Sequence, residues 1–410
     1  MKKLQLAVIS DLHVGEGARA KDLCPAGAPS RDMKPDENYR ERFLEFVQKH
    51  SLKADYLVLP GDVTDRAKPE EVKIASDFIE EARIKLGVEK ENVVFVPGNH
   101  DVDWSVFETP DTTGVRRSQR YAPIRSENFG FNAIIARGNG CVFDAPHFTI
   151  WSDSNVMAVG YNSSHHDEPK KFHHGLIDAT HIGQIRAALK AMPRNKEQLR
   201  LFLVHHHLLQ YDDPTPTHPD TSIMVNSEQL QALLREFDFD ILIHGHRHLP
   251  RFTTHSVNGS REVAILCAGS FSVEIDTRWT GSISNQFHLI TVEGRDKEEH
   301  LITGEVESWS YNFVRGWVES DENYDGIPHI EPFGTYIRPE KLKAALHPLL
   351  MERFSKADYI EWSEVLAAEP QLRHLRPTIV LRVLDDLAAD ANFRRVHDIP
   401  DKIILLKGKT

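Results

Sequence analysis

The chain has 410 residues, 40% of them hydrophobic and 27% charged. This is ordinary globular usage, and it excludes a disordered, collagen-like or membrane-embedded protein. Basic residues number 49 against 61 acidic ones, a formal charge of −12, so there is no general positive surface for non-specific nucleic-acid binding.

The apolar run LQLAVIS after Met1-Lys2-Lys3 is broken by Asp11 and His13, too soon for a secretion signal. The same run, 4–10, predicts a buried strand. A helix follows over 40–50, with Phe43, Leu44 and Val47 on one face, and a second strand over 56–60. Pro69 suits the first turn of a helix over 69–85, and 93–97 predicts a third strand. Strands separated by helices imply crossovers and a largely parallel sheet. Residues 105–180 give no clear period. Beyond them the pattern predicts a helix at 181–192, a strand at 199–205, a helix at 227–236 and a strand at 239–244. Late strands are expected at 263–268, 272–276 and 285–294.

The acidic, Gly- and Pro-containing stretch 320–338 marks a boundary, which divides the chain into a domain of 1–334 and a module of 335–410. In the module, helices at 340–354, 361–368 and 377–389 precede a hairpin at 393–408. That is the order of a winged helix, and equally of a plain packing module. The module has 13 basic and 11 acidic residues, a balance of +2, which leaves −14 for the rest. It is expected to bind a partner protein or to mediate oligomerisation, with nucleic acid as the alternative. Cys24, Cys141 and Cys267 lie far apart and form neither a disulfide framework nor a zinc motif. Reduced thiols and a cytoplasmic location are expected. No apolar stretch reaches the length of a membrane span.

Histidine is abundant, at 23 residues, and its positions are informative. Five apolar runs each end in residues able to bind metal: VISDLH (8–13), VLPGDVTD (58–65), VFVPGNHD (94–101), FLVHHH (202–207) and LIHGHRH (242–248). In an open α/β sheet, ligands gather at the carboxyl ends of strands. Five such ends would bring Asp, Asn and His to one point, a donor set suited to Mn, Fe or Zn. Gly61, Gly98 and Gly245 each precede a candidate ligand. Positive φ at these glycines would turn the next side chain into the site.

The pattern Asp11-Leu-His13, Gly61-Asp62, Gly98-Asn99-His100-Asp101, His205 and Gly245-His246-Arg247-His248 resembles the calcineurin-like metallophosphoesterase superfamily. The resemblance covers about residues 1–310 and is nearest to the cyclic-nucleotide phosphodiesterase-like branch, with the SbcD-type nuclease branch second. It implies a four-layer α/β/β/α sandwich with two divalent metal ions, Mn before Fe or Zn. One ion would be held by Asp11, His13, Asp62 and His248, the other by Asp62, Asn99, His205 and His246. His206 is the alternative to His205, because Leu208 and Leu209 stand where the family has proline. His100 would protonate the leaving group or stabilise charge on the phosphoryl group. Asp101 would hold His100, or else cap a turn. Arg116, Arg117 and Arg120 are candidates to grip phosphate, with Arg125 beside them, or they form a solvated helix face. The expected activity is hydrolysis of a nucleotide-type phosphodiester. The alternatives are a DNA or RNA nuclease, a phosphomonoesterase or phosphoprotein phosphatase, and a metal-binding scaffold without catalysis.

Overall fold

The computed structural model describes residues 1–18, 20–26, 38–107, 119–125, 139–167, 174–211, 222–255, 262–273, 283–295, 301–334, 339–396 and 403–408. The chain divides into two compact units. The first comprises Met1–Thr291 and Glu307–His329, and the second Val292–Val306 and Ile330–Thr410. The sequence border at 334/335 differs from this division. Residues 330–334 and the hairpin segment 292–306 group with the C-terminal residues, where Arg376 lies 3.6 Å from Glu331 and His374 lies 3.7 Å from Glu293.

In the first unit, β1 (Leu4–Val8), β2 (Tyr56–Leu59) and β3 (Val93–Phe95) are parallel, with Leu6 opposite Tyr56 and Leu57 opposite Val93. All of β2 and β3 is buried, which accounts for their unbroken apolar sequences. The crossovers are α1 (Tyr39–Lys49) and α2 (Pro69–Leu86). Phe43 of α1 meets Phe271 and Phe287 edge-on at 4.8 and 5.0 Å between ring centres. Gly87, in a left-handed conformation, ends α2. The sheet continues through β11 (Gln286–Arg295), β12 (Ile302–Asn312) and β13 (Gly316–Glu319) in the order β13-β12-β11-β1-β2-β3, with β14 (Ile330–Phe333) paired to β12 off this path.

A second sheet has the order β4-β5-β6-β7-β8-β10-β9. Its strands are β4 (Asn139–Cys141), β5 (Phe148–Ser152), β6 (Val156–Tyr161), β7 (Leu199–Leu203), β8 (Ile241–His244), β9 (Arg251–His255) and β10 (Val263–Cys267). The pairs β6–β7, β7–β8 and β8–β10 are parallel. Helices α3 (Ala179–Ala191) and α4 (Ser227–Glu236) close its outer face through Ile182, Ile185, Leu230 and Leu233, packed with Phe202 and Leu242. The two sheets face each other. Tyr56 stacks on Trp151 at 5.9 Å, and Gly160 leaves room for Val96, which a Cβ there would approach to 2.9 Å. The layers are therefore α/β/β/α, as the family resemblance implies. The β4–β6 meander fills the stretch that sequence periodicity leaves unread. Of the strand expected at 272–276, only a bridge from Val273 to Ala18 is seen, and the rest lies outside the described residues.

The second unit has its own core. Leu342, Leu346 and Leu350 of α5 (Pro339–Phe354), Val365 of α6 (Trp362–Ala368) and Val383, Leu384 and Leu387 of α7 (Pro377–Ala391) pack with Leu405. The expected helices and hairpin are joined by an extra strand, β15 (Tyr359–Glu361). It pairs with β17 (Ile404–Lys407), which also pairs with β16 (Phe393–Arg395), all antiparallel. Helix, strand, helix, helix, hairpin is the winged-helix order.

Leu384→Ala should lower the stability of the second unit by about 2–5 kcal/mol, read as faster hydrogen exchange of the α7 amides. Met351→Ala, at a position 45% exposed, should change it by less than about 0.5 kcal/mol. In the first unit, His288 on β11 is fully buried. Its Nε2 donates to the Ala268 carbonyl at 2.7 Å, and its Nδ1 lies 2.8 Å from Ser308 Oγ. Burial pushes its pKa from 6.5 down to about 4, so the fold favours the neutral ring. This contribution is complete above the unfolded value of 6.5 and is lost as pH falls towards 4. His288→Gln should remove one share of that acid-induced destabilisation, measured as a flatter dependence of unfolding free energy on pH in this window.

Candidate metal centre

The motif residues lie just past β1, β2, β3, β7 and β8. The two sheets are tied together there. His246 N, after β8 of the second sheet, donates to Asp11 Oδ1, after β1 of the first, at 3.1 Å. Phe271 N donates to the Ser10 carbonyl at 2.7 Å.

Two groups of donors result. Asp11, His13 and His248 form one, and Asp62, His205 and His246 the other, with the ligand atoms of each within 4.8 Å of one another. In the first, His248 Nε2 is 3.3 Å from Asp11 Oδ1 and 3.1 Å from His13 Nε2. In the second, His205 Nε2 is 3.1 Å from Asp62 Oδ2 and 3.2 Å from Asn99 Oδ1. His246 Nδ1 is 3.0 Å from the same Asn99 oxygen. Asp62 joins the two groups, since its Oδ2 is also 3.5 Å from His13 Nε2. His205 Nδ1 donates to the Pro60 carbonyl at 2.8 Å, which leaves the Nε2 lone pair directed at Asp62 and Asn99. His206 turns elsewhere: its Nδ1 meets Ser163 Oγ at 2.8 Å, and its Nε2 lies 3.7 Å from Asp167. The geometry therefore brings His205, rather than His206, to Asp62.

The electrostatics fit divalent cations. Asp11 and Asp62 are fully buried at 0% and 1% exposure. Burial opposes their charge, but the surrounding imidazoles hold both carboxyls well below the usual range. Burial likewise opposes charge on His13 and His205, yet the carboxylates lift them to about 10 and about 9. Protons on these rings thus balance the carboxylates, and metal binding would displace them.

The local backbone is strained where the donors sit. Asp11, His13, Asp62, His246 and His248 all have positive φ, between 47° and 87°. Each such residue costs on the order of 1 kcal/mol. The glycines act differently from the sequence expectation. Gly61 has φ 108°, but Gly98 and Gly245 are not among the positive-φ residues. A Cβ on Gly98 would fall 2.1 Å from Asp62 Oδ1, and one on Gly245 would fall 2.2 Å from Asp11 Oδ2. Those two glycines make room for carboxylates.

His100 lies at the edge of the centre with 40% of its side chain exposed. Its N–H donates to Asp62 Oδ1 at 2.8 Å and its Nδ1 to the Asp65 carbonyl at 2.9 Å, leaving Nε2 for a reacting group. The expected partnership with Asp101 is corrected. Asp101 accepts from Gly98 N at 2.9 Å, Thr64 N at 2.9 Å and Thr64 Oγ1 at 3.0 Å. It is the turn cap of the two alternatives and fastens the Asn99 loop to the Asp62 loop. Asp65 takes the holding role: besides its carbonyl, its Oδ1 is 3.7 Å from His100 Nδ1 and 3.8 Å from His13 Nδ1. The sequence pointed to it only by its place at the end of VLPGDVTD. Arg120 is buried and donates to the carbonyls of Asp167, at 3.0 Å, and His165, so its guanidinium is no open phosphate grip. Arg125 pairs with Asp144 at 2.6 Å. Arg116 and Arg117 lie outside the described residues.

Among the described residues, no helix is long and apolar enough to cross a membrane. No curated protein sequence matches the chain. Among solved structures it is similar to a purple acid phosphatase from yellow lupin (Lupinus luteus) seeds, at 14% identity over 77% of this chain and 52% of that one, with a TM-score of 0.45. The chain thus spans about half the length of that phosphatase. It is similar to a phosphopantetheinyl hydrolase from Mycobacterium tuberculosis at 16% identity, over 65% of this chain and 89% of that one, with a TM-score of 0.35. It is similar to Vacuolar Protein Sorting 29 from Cryptosporidium parvum at 14% identity, over 82% and 100%, with a TM-score of 0.34. The family model for calcineurin-like phosphoesterases matches residues 4–250, and with that match the chain belongs to this family of metal-dependent phosphoester hydrolases.

Proposed function

We propose that the chain is a phosphodiesterase for nucleotide-type substrates, working with two divalent ions, Mn²⁺ first. The observation that carries this reading is the paired donor set joined through Asp62, with His100 exposed beside it. Asp11, His13, Asp62 and His248 would hold one ion, and Asp62, Asn99, His205 and His246 the other. When bound, such ions neutralise a phosphoester and make a nucleophilic hydroxide available at neutral pH.

The protein's own groups do the rest. Asp62 and Asp11 fix the positions of the imidazoles. Asn99 offers a carbonyl oxygen to His205 and His246. His100 is anchored through its backbone and Nδ1, and as an imidazolium, a form that burial disfavours and the Asp62 carboxylate favours, it would offer its Nε2–H to the departing oxygen of a diester. A sugar or alkyl alkoxide is a poor leaving group and needs that proton. The part-exposed imidazole at the edge of the centre also disfavours a purely structural scaffold, which has no use for an acid at this point.

A nuclease is the second reading, favoured by the winged-helix order of the C-terminal unit. Residues 335–410 carry a balance of only +2, which makes a protein partner or a second copy the better match for them. The purified protein with Mn²⁺ should be tested on bis-p-nitrophenyl phosphate, p-nitrophenyl phosphate, cyclic AMP, single-stranded DNA and RNA. The proposal requires the diester to be preferred over the monoester and cyclic AMP over the polymers. Faster cleavage of DNA or RNA would move the nuclease reading to first place.

Asp62→Asn and His246→Ala should abolish metal-dependent hydrolysis and lower metal content, measured by elemental analysis. Full activity in Asp62→Asn would sink the shared-carboxylate arrangement. His100→Ala should keep its metal while kcat falls by about 10²–10⁴, the range of a lost acid–base group. The loss should shrink for substrates that leave as p-nitrophenolate. Loss of metal in this variant would show that His100 is a ligand.

A further inference from the structure

A second cluster of metal-binding side chains lies behind the centre and is not used by it. His207 follows the end of β7, His244 closes β8 and Cys267 closes β10. β10 runs parallel to β8 with Cys267 directly opposite His244. His207 is fixed by Met224 N, which donates to its carbonyl at 3.0 Å, and by its own N–H to the Ser222 carbonyl at 2.9 Å. Neighbouring parallel strands thus end at one level and direct three donors to one place.

All three residues are buried, and a ligand atom from each lies within 4.8 Å of the others. Cys267 Sγ is 3.8 Å from His207 Nε2. A tetrahedral zinc with bonds of ~2.0 Å to nitrogen and ~2.3 Å to sulfur separates two such ligands by about 3.5 Å. The rings of His207 and His244 are 4.5 Å apart between centres. His244 Nδ1 faces the Gly245 carbonyl at 3.2 Å and donates to it, so the Nε2 lone pair is the atom available to a ligand. That Nε2 is 3.0 Å from the Tyr211 hydroxyl, which offers a fourth donor. His207 and His244 fall within two of the five segments but outside the donor set of the dinuclear centre, and Cys267 and Tyr211 lie outside the segments altogether.

We propose that His207, His244, Cys267 and Tyr211 form a third metal site, separate from the dinuclear centre, for a zinc-class divalent ion. A thiolate with two imidazoles favours a borderline-soft ion over Mg or Ca. On binding, the Sγ–H bond is replaced by a sulfur–metal bond and the proton leaves to solvent, while the Tyr211 hydroxyl gives up its hydrogen bond to His244 Nε2 and binds through an oxygen lone pair. No redox step is involved. The site fastens the ends of β7, β8 and β10 two residues from His205 and His246. Its role is to position those ligands, and it does not touch the substrate.

Cobalt distinguishes this site from the dinuclear centre, whose donors are all nitrogen and oxygen. Full-length protein stripped by chelation and saturated with Co²⁺ should develop a near-ultraviolet sulfur-to-cobalt absorption band and bind about three ions per chain. Cys267→Ser should lose the band and one ion, while the double variant Cys24→Ser, Cys141→Ser keeps both. Where Cys267→Ser does not fold, cadmium NMR of the wild type gives the answer: the proposal requires one resonance in the sulfur-ligated region beside those of nitrogen–oxygen sites. About two cobalt ions with no sulfur band would overturn the third site and leave the dinuclear reading intact. A band that persists in Cys267→Ser would overturn it as well.

Discussion

Two buried carboxylates govern this structure. Asp11 and Asp62 sit at the ends of adjacent parallel strands and are sealed from solvent. A buried carboxylate without a counter-charge costs several kcal/mol. The fold answers by surrounding them with His13, His205, His246 and His248, drawn from both sheets. Protonated imidazoles can balance the charge, as the raised values of His13 and His205 indicate. Divalent ions can balance it more completely, and the Asn99 carbonyl, which cannot carry a proton, points to that use. The same electrostatic demand helps tie the two facing sheets together at this end, where the His246 amide of one donates to Asp11 of the other.

That convergence carries a conformational cost. Five donor residues adopt positive φ, and none of them is glycine. A stable sandwich must hold them there. Asp101 does part of this by collecting three hydrogen bonds from two loops, and Glu71 does part by accepting from Arg66 N and Lys68 N beside the Asp65 loop. Neither residue needs to touch a substrate to matter. The glycines share in this economy of space, because Gly98 and Gly245 lie where carboxylate oxygens come within van der Waals range of the backbone.

Much of this was legible in the sequence because the signals were local. Unbroken apolar runs marked β1, β2, β3, β7 and β8, and polar residues at their ends marked the donors. Other features depended on pairings that no local pattern records. The His205–His206 choice was open until the strand end fixed which ring faces Asp62. Asp101 stands next to His100 in sequence, yet its carboxylate turns to backbone amides, while the Asp65 carbonyl, distant in sequence, meets the imidazole. Arg120 looked like a solvent-facing cation beside other arginines and is instead buried on carbonyls. β5 and β6 are buried along nearly their whole length and show no alternation, so periodicity did not find them. β12 was readable in principle over its first half, since Ile302, Gly304 and Val306 alternate with more exposed neighbours. β15 has three residues and takes its form from β17.

Anomalous scattering from crystals of the full chain grown with Mn²⁺ tests the central claim most directly. The account predicts two adjacent peaks about 3.5–4 Å apart, one among Asp11, His13 and His248 and the other among Asp62, His205 and His246. A single peak, or none within reach of Asp62, would contradict it.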